Sequence, residues 1–275
     1  MQNSPDIIRE YKITQSEYDL FRSFIYDQVG INFSDEKKTL VTSRLSKRLR
    51  HLKLQNFSEY YRLIEQPEQS IERQTVIDLL TTNETYFFRE PKHFLYLEKE
   101  IIPKWDKQHN LRVWSAASSS GEEAYSIAML LDDMLADNQW EIIGSDISSR
   151  VLKTARLGHY PQARIDGIPK DFLHNYCLKG RDEYEGTLLI NKKIRDRVRF
   201  LQMNLKSPIE DIGMFHIIFL RNVLIYFDLA TKQKIIKFLV AKLHQGGYLF
   251  IGHSESLKGI NDSLQSVNPT VYQKI

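Results

Sequence analysis

The sequence predicts an α/β protein: a doubly wound, mostly parallel, Rossmann-like sheet, preceded by an all-helical domain and interrupted by a small β insertion. Three observations predict this. From Leu111 onward, short apolar runs alternate with amphipathic helical stretches, the rhythm of a parallel sheet covered on both faces. Residues 16–80 carry helical periodicity and no strand pattern. Between Gly158 and Val198 the alternation breaks at Pro161, Gly167, Pro169, Gly180 and Gly186, with a β-rich Gly186-Thr187-Leu188-Leu189-Ile190. The expected domains are residues 1–80 and 81–275, with the insertion at about 160–197.

In the first domain, Ser16 is read as the N-cap of a helix over 17–29 that Gly30 ends. Ser34-Asp35-Glu36 opens a second helix running to about Leu54. Third and fourth helices are expected over 57–64 and 70–80, separated by a turn at Pro67. Along the second helix Val41, Leu45, Leu49 and Leu52 recur at helical spacing and should form its buried face, with Lys37, Arg44, Lys47, Arg48 and His51 on a flank. In the second domain, strands are expected at 111–116, 141–145, 198–201, 215–220 and 248–251, and helices at 121–136, 148–157 and 229–243. The tail 270–275 alternates like a terminal edge strand.

At 275 residues, 42% hydrophobic and 27% charged, the chain has ample material for a core and the balance of a soluble globular protein. Residues 1–12 lack the apolar run of a signal peptide, and no apolar stretch is long enough to span a bilayer. The single cysteine, Cys177, excludes an intramolecular disulfide and fits a reducing cytoplasm. A net charge of +3 is too small to argue for nucleic acid. Its distribution says more. Residues 37–58 hold Lys37, Lys38, Arg44, Lys47, Arg48, Arg50 and Lys53 without an Asp or Glu.

The most informative stretch runs from Val113 to Tyr125: an apolar strand, then Ala116-Ala117-Ser118-Ser119-Ser120-Gly121, then Glu122 and Glu123 opening a helix. Small residues let backbone approach a ligand, and this strand–turn–helix is where open α/β sheets bind nucleotide-like molecules. The two carboxylates would repel a pyrophosphate, which wants bare N–H groups and a positive dipole. A ligand with a positive or hydroxyl-rich face, such as S-adenosylmethionine, tolerates them. Ser followed by Glu is also an ordinary capping pattern. No Gly-x-Gly-x-x-Gly stands at this turn, which weakens a nicotinamide dehydrogenase. The second strand ends in Gly144-Ser145-Asp146, where an acid either accepts ribose hydroxyls or caps the helix beginning near Ser148. A buried strand over 215–220 runs into Arg221-Asn222 and on to Tyr226, so these three should face the ligand crevice; the plainer reading pairs Arg221 on the surface and leaves Tyr226 to packing. Read by itself, Asn83-Glu84-Thr85-Tyr86-Phe87-Phe88-Arg89-Glu90 is a linker helix with a buried Phe pair. His253 is read as a structural histidine at a strand end, and no His, Cys or carboxylate cluster has metal-ligand spacing, so no metal is expected.

Six motifs in register resemble the CheR family, the chemotaxis receptor protein-glutamate O-methyltransferases. They are Asn83-x-Thr85-x-Phe87-Phe88-Arg89-Glu90; Trp114-Ser115-Ala116 with Gly121-Glu122-Glu123-x-Tyr125-Ser126; Asp146-Ile147; Met203-Asn204-Leu205; Arg221-Asn222-Val223-x-Ile225-Tyr226-Phe227; and Gly252-His253-Ser254-Glu255-Ser256. The likeness runs from about Ser16 to the C-terminus. The chain departs from it at Ala117-Ser118-Ser119-Ser120, where the family often has Gly-Cys or Ala-Ser-Thr, and at Ala124, where Pro is common. The resemblance implies S-adenosylmethionine as cofactor and S-adenosylhomocysteine as product. It implies cofactor contacts from Asn83, Thr85, Arg89, Asp146, Asn204, Leu205, Arg221 and Asn222, and from Glu123 or its neighbour Glu122. The Asn83 segment then becomes a cofactor lid.

The implied reaction needs no base. A glutamate side chain, with a pKa near ~4.3, is already an anion at neutral pH. Alignment of its oxygen with the sulfonium methyl and exclusion of water are what remain to be supplied, and Arg89 and Tyr226 are assigned to that pocket. Arg44, Lys47 and Arg48 are assigned to the substrate, because a basic helix flank complements an acidic receptor coiled coil. The expected partners are chemoreceptor cytoplasmic domains, with a receptor C-terminal peptide on the β insertion. The expected protein is a cytoplasmic monomer recruited to membrane receptor arrays, with no nucleic acid bound and no membrane insertion. Two rivals stand beside this reading. One is a methyltransferase for nucleic acid or a small molecule, although Arg221-Asn222-Val223-Leu224 stands where amino-methylating DNA enzymes carry Asn/Asp-Pro-Pro-Tyr. The other is a non-catalytic adaptor that binds cofactor and receptor.

Overall fold

Thr14, rather than Ser16, caps the first helix, α1 (Gln15–Val29), through a reciprocal capping box with Glu17. Thr14 wins because its extended backbone (ψ 169°) aims its hydroxyl at the Glu17 N–H, while Ser16 already lies inside the helix. Gly30 closes α1 in the left-handed region at φ 81°. The computed structural model describes residues 11–106, 108–135, 140–209 and 211–275. The leader expectation for residues 1–10 and the helix end at Ala136 lie outside them.

The helices α2 (Lys38–His51), α3 (Phe57–Glu65) and α4 (Ser70–Leu80) complete a first compact unit, Met1–Thr82. The expected second helix is shorter than its pattern: a 3₁₀ turn, Asp35–Lys37, takes its start, and the α-helix ends at His51. Val41, Leu45 and Leu49 are fully buried as the spacing requires, but Leu52 falls beyond the helix end and is only half-buried. Phe21 meets Phe57 edge-on, with ring centroids 6.3 Å apart, at the centre of this core. Two buried carboxylates fasten the helices. Glu17 accepts from the Ser58 N–H and hydroxyl, and Glu72 accepts from Arg48 and Tyr60.

The second unit, Asn83–Ile275, begins with a loop and α5 (Pro91–Tyr96), which the alternation did not reveal. Then follow β1 (Leu111–Ala116), α6 (Glu122–Met134), β2 (Trp140–Asp146) and α7 (Ser149–Leu157). The insertion holds β3 (His159–Pro161), α8 (Lys170–Tyr176), β4 (Cys177–Lys179), β5 (Thr187–Ile190) and α9 (Lys192–Arg195), its strands ordered β3-β5-β4. The chain returns through β6 (Val198–Gln202), β7 (Phe215–Leu220), α10 (Leu229–Lys242), β8 (Leu243–Ile251), β9 (Leu264–Asn268) and β10 (Val271–Lys274).

The main sheet runs β6-β2-β1-β7-β8-β10-β9, parallel from β6 through β8 and antiparallel beyond. Beyond half-buried Arg112 and His216, both faces of β1 and β7 are buried, so the residues that follow do not alternate between apolar and exposed polar positions. The C-terminal tail is not an edge strand. β10 lies between β8 and β9, because the chain folds back through Pro269 and Thr270 (φ 61°) and puts 264–268 outside it. Only Leu264 of β9 is buried, so its sequence carries no alternation to read.

Candidate active site

The sheet order reverses at β1, whose neighbours are β2 on one side and β7 on the other, and the carboxyl ends of strands at such a switch point are where open α/β sheets bind their ligands. After β1 the backbone enters the left-handed region at Ala117 (φ 72°), Ser119 (φ 50°) and Gly121 (φ 97°), conformations that cost non-glycine residues roughly 1–2 kcal/mol each. Gly121 itself has no alternative, since a Cβ there would lie 3.0 Å from Ala155. The serines do not cap α6 as their pattern suggests; the N-cap is Gly121, which has no side chain to offer. Instead the Ser119 N–H donates to Asp146 Oδ2 at 2.9 Å, and the Ser120 hydroxyl donates to Glu122.

Asp146 serves its own loop as well as facing the crevice edge. Its Oδ1 accepts from the Ser148 N–H at 2.9 Å, tying the start of α7, and its backbone carbonyl accepts from the Met203 N–H. Asp146 is 6% exposed at the end of β2. Asn204 and Leu205 follow Met203 beside it, both half-buried, with Asn204 Oδ1 accepting from the Lys206 N–H.

The centre of the site is Arg221, buried rather than paired on the surface. Its guanidinium donates to Glu123 at 2.8 Å, to Glu90 at 2.9 and 3.1 Å, and to the Arg89 carbonyl. Glu123 also accepts from Ser115 at 2.7 Å. Glu90 accepts further from Asn222 Nδ2 at 3.2 Å and the His253 N–H at 3.1 Å. Burial alone would raise the Glu90 carboxyl, but the Arg221 charge and these donors override it and hold the pKa at about 2. Burial, aided by the Arg221 charge, pushes the His93 imidazole down to about 3, so it stays neutral. The structure also separates the two helix-opening acids. Glu123 faces Arg221, whereas Glu122 is fully buried and turned to Arg164 (2.8 Å) of the insertion.

The Asn83 segment is a loop held against the site at several points, not a helix. Ser119 donates to the Asn83 carbonyl, the Phe88 N–H donates to Ser126, and Phe88 and Glu90 sit at φ 53° and 59°. Thr85 and the Arg89 side chain are half-buried, with Arg89 donating to the Glu84 carbonyl and lying over the Tyr86 ring. Asn222, at φ 55°, and half-buried Tyr226 continue from β7 along the same edge. The structure therefore gathers Glu90, Arg221, Glu123 and Asn222 into one network, with Asp146 at the end of β2, on the other side of β1.

The proposed substrate residues divide differently. Arg48 is bound to buried Glu72 within its own unit, and Arg44 donates to the Leu80 and Thr81 carbonyls; Lys47 is exposed. The absence of acids along 37–58 concealed Glu72, which arrives from another helix. Likewise, sequence spacing gave no metal cluster, but Glu90, His93 and His253 meet with ligand atoms within 4.8 Å of one another. Glu90 is already bound to Arg221, whose charge opposes a cation there, so the trio belongs to the network. Glu90 and the buried Glu255 were visible in the sequence only as members of motifs; no local pattern marked either as part of the site. On the insertion, a cleft of about 540 Å³ is lined by Leu178, Lys179, Arg181, Tyr184 and Arg195 and shares no residue with this network.

Two family models match the chain: "CheR methyltransferase, all-alpha domain" over residues 16–81 and "CheR methyltransferase, SAM binding domain" over residues 83–273. The chemotaxis protein methyltransferase of Borreliella burgdorferi is 38% identical over 275 residues, covering 95% of each chain. The chemotaxis protein methyltransferase 2 of Pseudomonas aeruginosa is 38% identical, covering 96% of this chain and 95% of that one. The Escherichia coli chemotaxis protein methyltransferase is 37% identical, with 94% and 91% covered.

Proposed function

The chain belongs to the CheR methyltransferase family, whose cofactor is S-adenosylmethionine, and on that premise we propose that it esterifies glutamate side chains of chemoreceptor cytoplasmic domains. The observation that carries the reading is the Glu123–Arg221–Glu90 network beside Asp146 at the sheet's switch point. Its donor set fits the cofactor. The carboxylate of Asp146, at the end of β2, suits ribose hydroxyls, Glu123 suits the ammonium group, and Arg221 and Asn222 offer donors to the carboxylate. Asn83, Thr85 and Arg89 line the lid, and Asn204 and Leu205 the nucleoside side.

The cofactor supplies the methyl group on a sulfonium, itself the leaving group. The protein's part is to hold the acceptor carboxylate in line and keep water out. Arg89 orients the acceptor and Tyr226 walls the pocket. No proton has to be removed, because the acceptor is already ionised. Lys47, with neighbouring exposed cations of α2, meets the acidic receptor surface. The basic and apolar lining of the insertion cleft, with the free strand edges of β3 and β4, supports a second contact: a receptor tail peptide carrying carboxylates and large apolar side chains, added as a strand.

The test is methyl transfer from labelled cofactor to receptor-enriched membranes. The expected product releases methanol in alkali, and activity persists down to about pH 6, since the acceptor is ionised there. A base-stable mark whose rate climbs through pH 9 points to an amine acceptor and refutes the glutamate assignment. Cofactor binding without any transfer would leave an adaptor.

A further inference from the structure

Glu255 lies in the last of the sequence motifs, Gly252-His253-Ser254-Glu255, and the reaction as described makes no use of it. It is 9% exposed and, among the described residues, forms no ion pair. Its two oxygens are instead filled by backbone amides from two separate loops. Oε2 accepts from Gly252 N–H at 2.6 Å and Asn222 N–H at 2.9 Å, and Oε1 accepts from Leu224 N–H at 2.8 Å. The loop after β8 is thereby clamped to the loop after β7. The fit leaves no slack, because a Cβ on Gly252 would stand 2.8 Å from the Asn222 nitrogen. Burying an unpaired carboxylate is costly, and a hydrophobic contact would join two loops more cheaply. What the carboxylate adds is a fixed direction for three amides at once, and those amides set Asn222 at φ 55° and the turn Leu224–Tyr226.

We propose that Glu255 is a positioning residue for methyl transfer: it fixes the Asn222–Tyr226 turn, and so the wall against which the acceptor carboxylate is aligned. The proposal rests on the assignment of Tyr226 to the acceptor pocket. Arg221 is anchored independently by Glu90 and Glu123, and the Asn222 side chain is held by Glu90, so the cofactor side of the crevice depends on Glu255 far less than the Leu224–Tyr226 turn does. Loss of the clamp therefore separates turnover from cofactor binding.

The experiment compares full-length wild type, Glu255→Gln and Glu255→Asp, first verifying on wild type that the receptor product is an alkali-labile ester. Gln turns an NH₂ group toward amide donors it cannot accept from; Asp keeps the charge one methylene short. We expect kcat to fall at least tenfold in Glu255→Gln, with S-adenosylhomocysteine affinity within twofold, and kcat to be partly restored in Glu255→Asp. Rates are normalised to folded protein by near-ultraviolet circular dichroism; if the Gln variant does not fold, the same kcat-to-affinity split is required of the Asp variant. Unchanged kcat per folded molecule, or equal losses in kcat and cofactor affinity, overturns the proposal. A base-stable product on wild type would instead refute the glutamate reading, and is told apart because it precedes any substitution.

Discussion

Replacing Glu90 with Gln should destabilise the second unit by about 3 kcal/mol at pH 7, and the loss should fade on acidification. Folding takes the Glu90 carboxyl from an ordinary 4.5 to about 2. That difference, at about 1.4 kcal/mol per pH unit, amounts to roughly 3 kcal/mol. The figure agrees with the ~3–5 kcal/mol for breaking a buried ion pair, taken at the low end because Glu123 still holds Arg221. The sign follows from a depressed acid: its stabilisation is complete above 4.5 and lost as pH falls toward about 2. The gap between wild type and Glu90→Gln should thus shrink by roughly 2 kcal/mol between pH 4.5 and pH 3. Urea unfolding followed by tryptophan fluorescence measures it in the right place, since Trp105, Trp114 and Trp140 all lie in the second unit. Acid effects of groups remote from Glu90 are shared by both proteins and cancel in the difference. A gap under 0.5 kcal/mol at pH 7, or one that stays constant down to pH 3, would refute the Arg221 network as the source of the shift.

His93 adds a separate pH dependence. A base whose folded pKa is about 3 loses stability as the unfolded chain takes up its proton below 6.5, at up to ~1.4 kcal/mol per unit, and His93→Gln should flatten the slope between pH 6.5 and 5. In the helical unit, Arg48→Glu should cost more than about 3 kcal/mol by setting two carboxylates together against Tyr60, whereas Lys47→Glu should change stability by less than about 0.5 kcal/mol yet raise the KM for receptor. Denaturation of each variant beside receptor methylation at two salt concentrations separates fold from docking, and equal stabilities would remove Arg48 from the fold's framework. Asp146→Ala should weaken S-adenosylhomocysteine binding roughly 10- to 100-fold, worth ~1.5–3 kcal/mol of charge-assisted hydrogen bonding. An unchanged Kd by calorimetry in a folded variant removes Asp146 from the cofactor site.

Local pattern was enough for whatever depends on local chemistry. β1 and β7 are buried on both faces over most of their length, so Leu111–Ala116 and Phe215–Leu220 were legible to the residue, and the punctuation of Pro161, Gly180 and Gly186 marked the insertion. The motifs around Asn83, Gly121, Asp146 and Arg221 sufficed to identify the family. Pattern failed where a partner is distant along the chain. Ser120 looked like a cap until Gly121 entered the left-handed region, and the tail looked like an edge until 264–268 folded outside it. Arg48 looked free because Glu72 stands 24 residues away, and Glu122 and Glu123, adjacent in sequence, point to different partners because successive helix positions are about 100° apart. The closing of Glu90 on Arg221, across 131 residues, and of Glu255 on Asn222, across 33, appears in no window of sequence. Burial makes each of these carboxylates tolerable only with its donors in place, and those donors are brought together by the sheet.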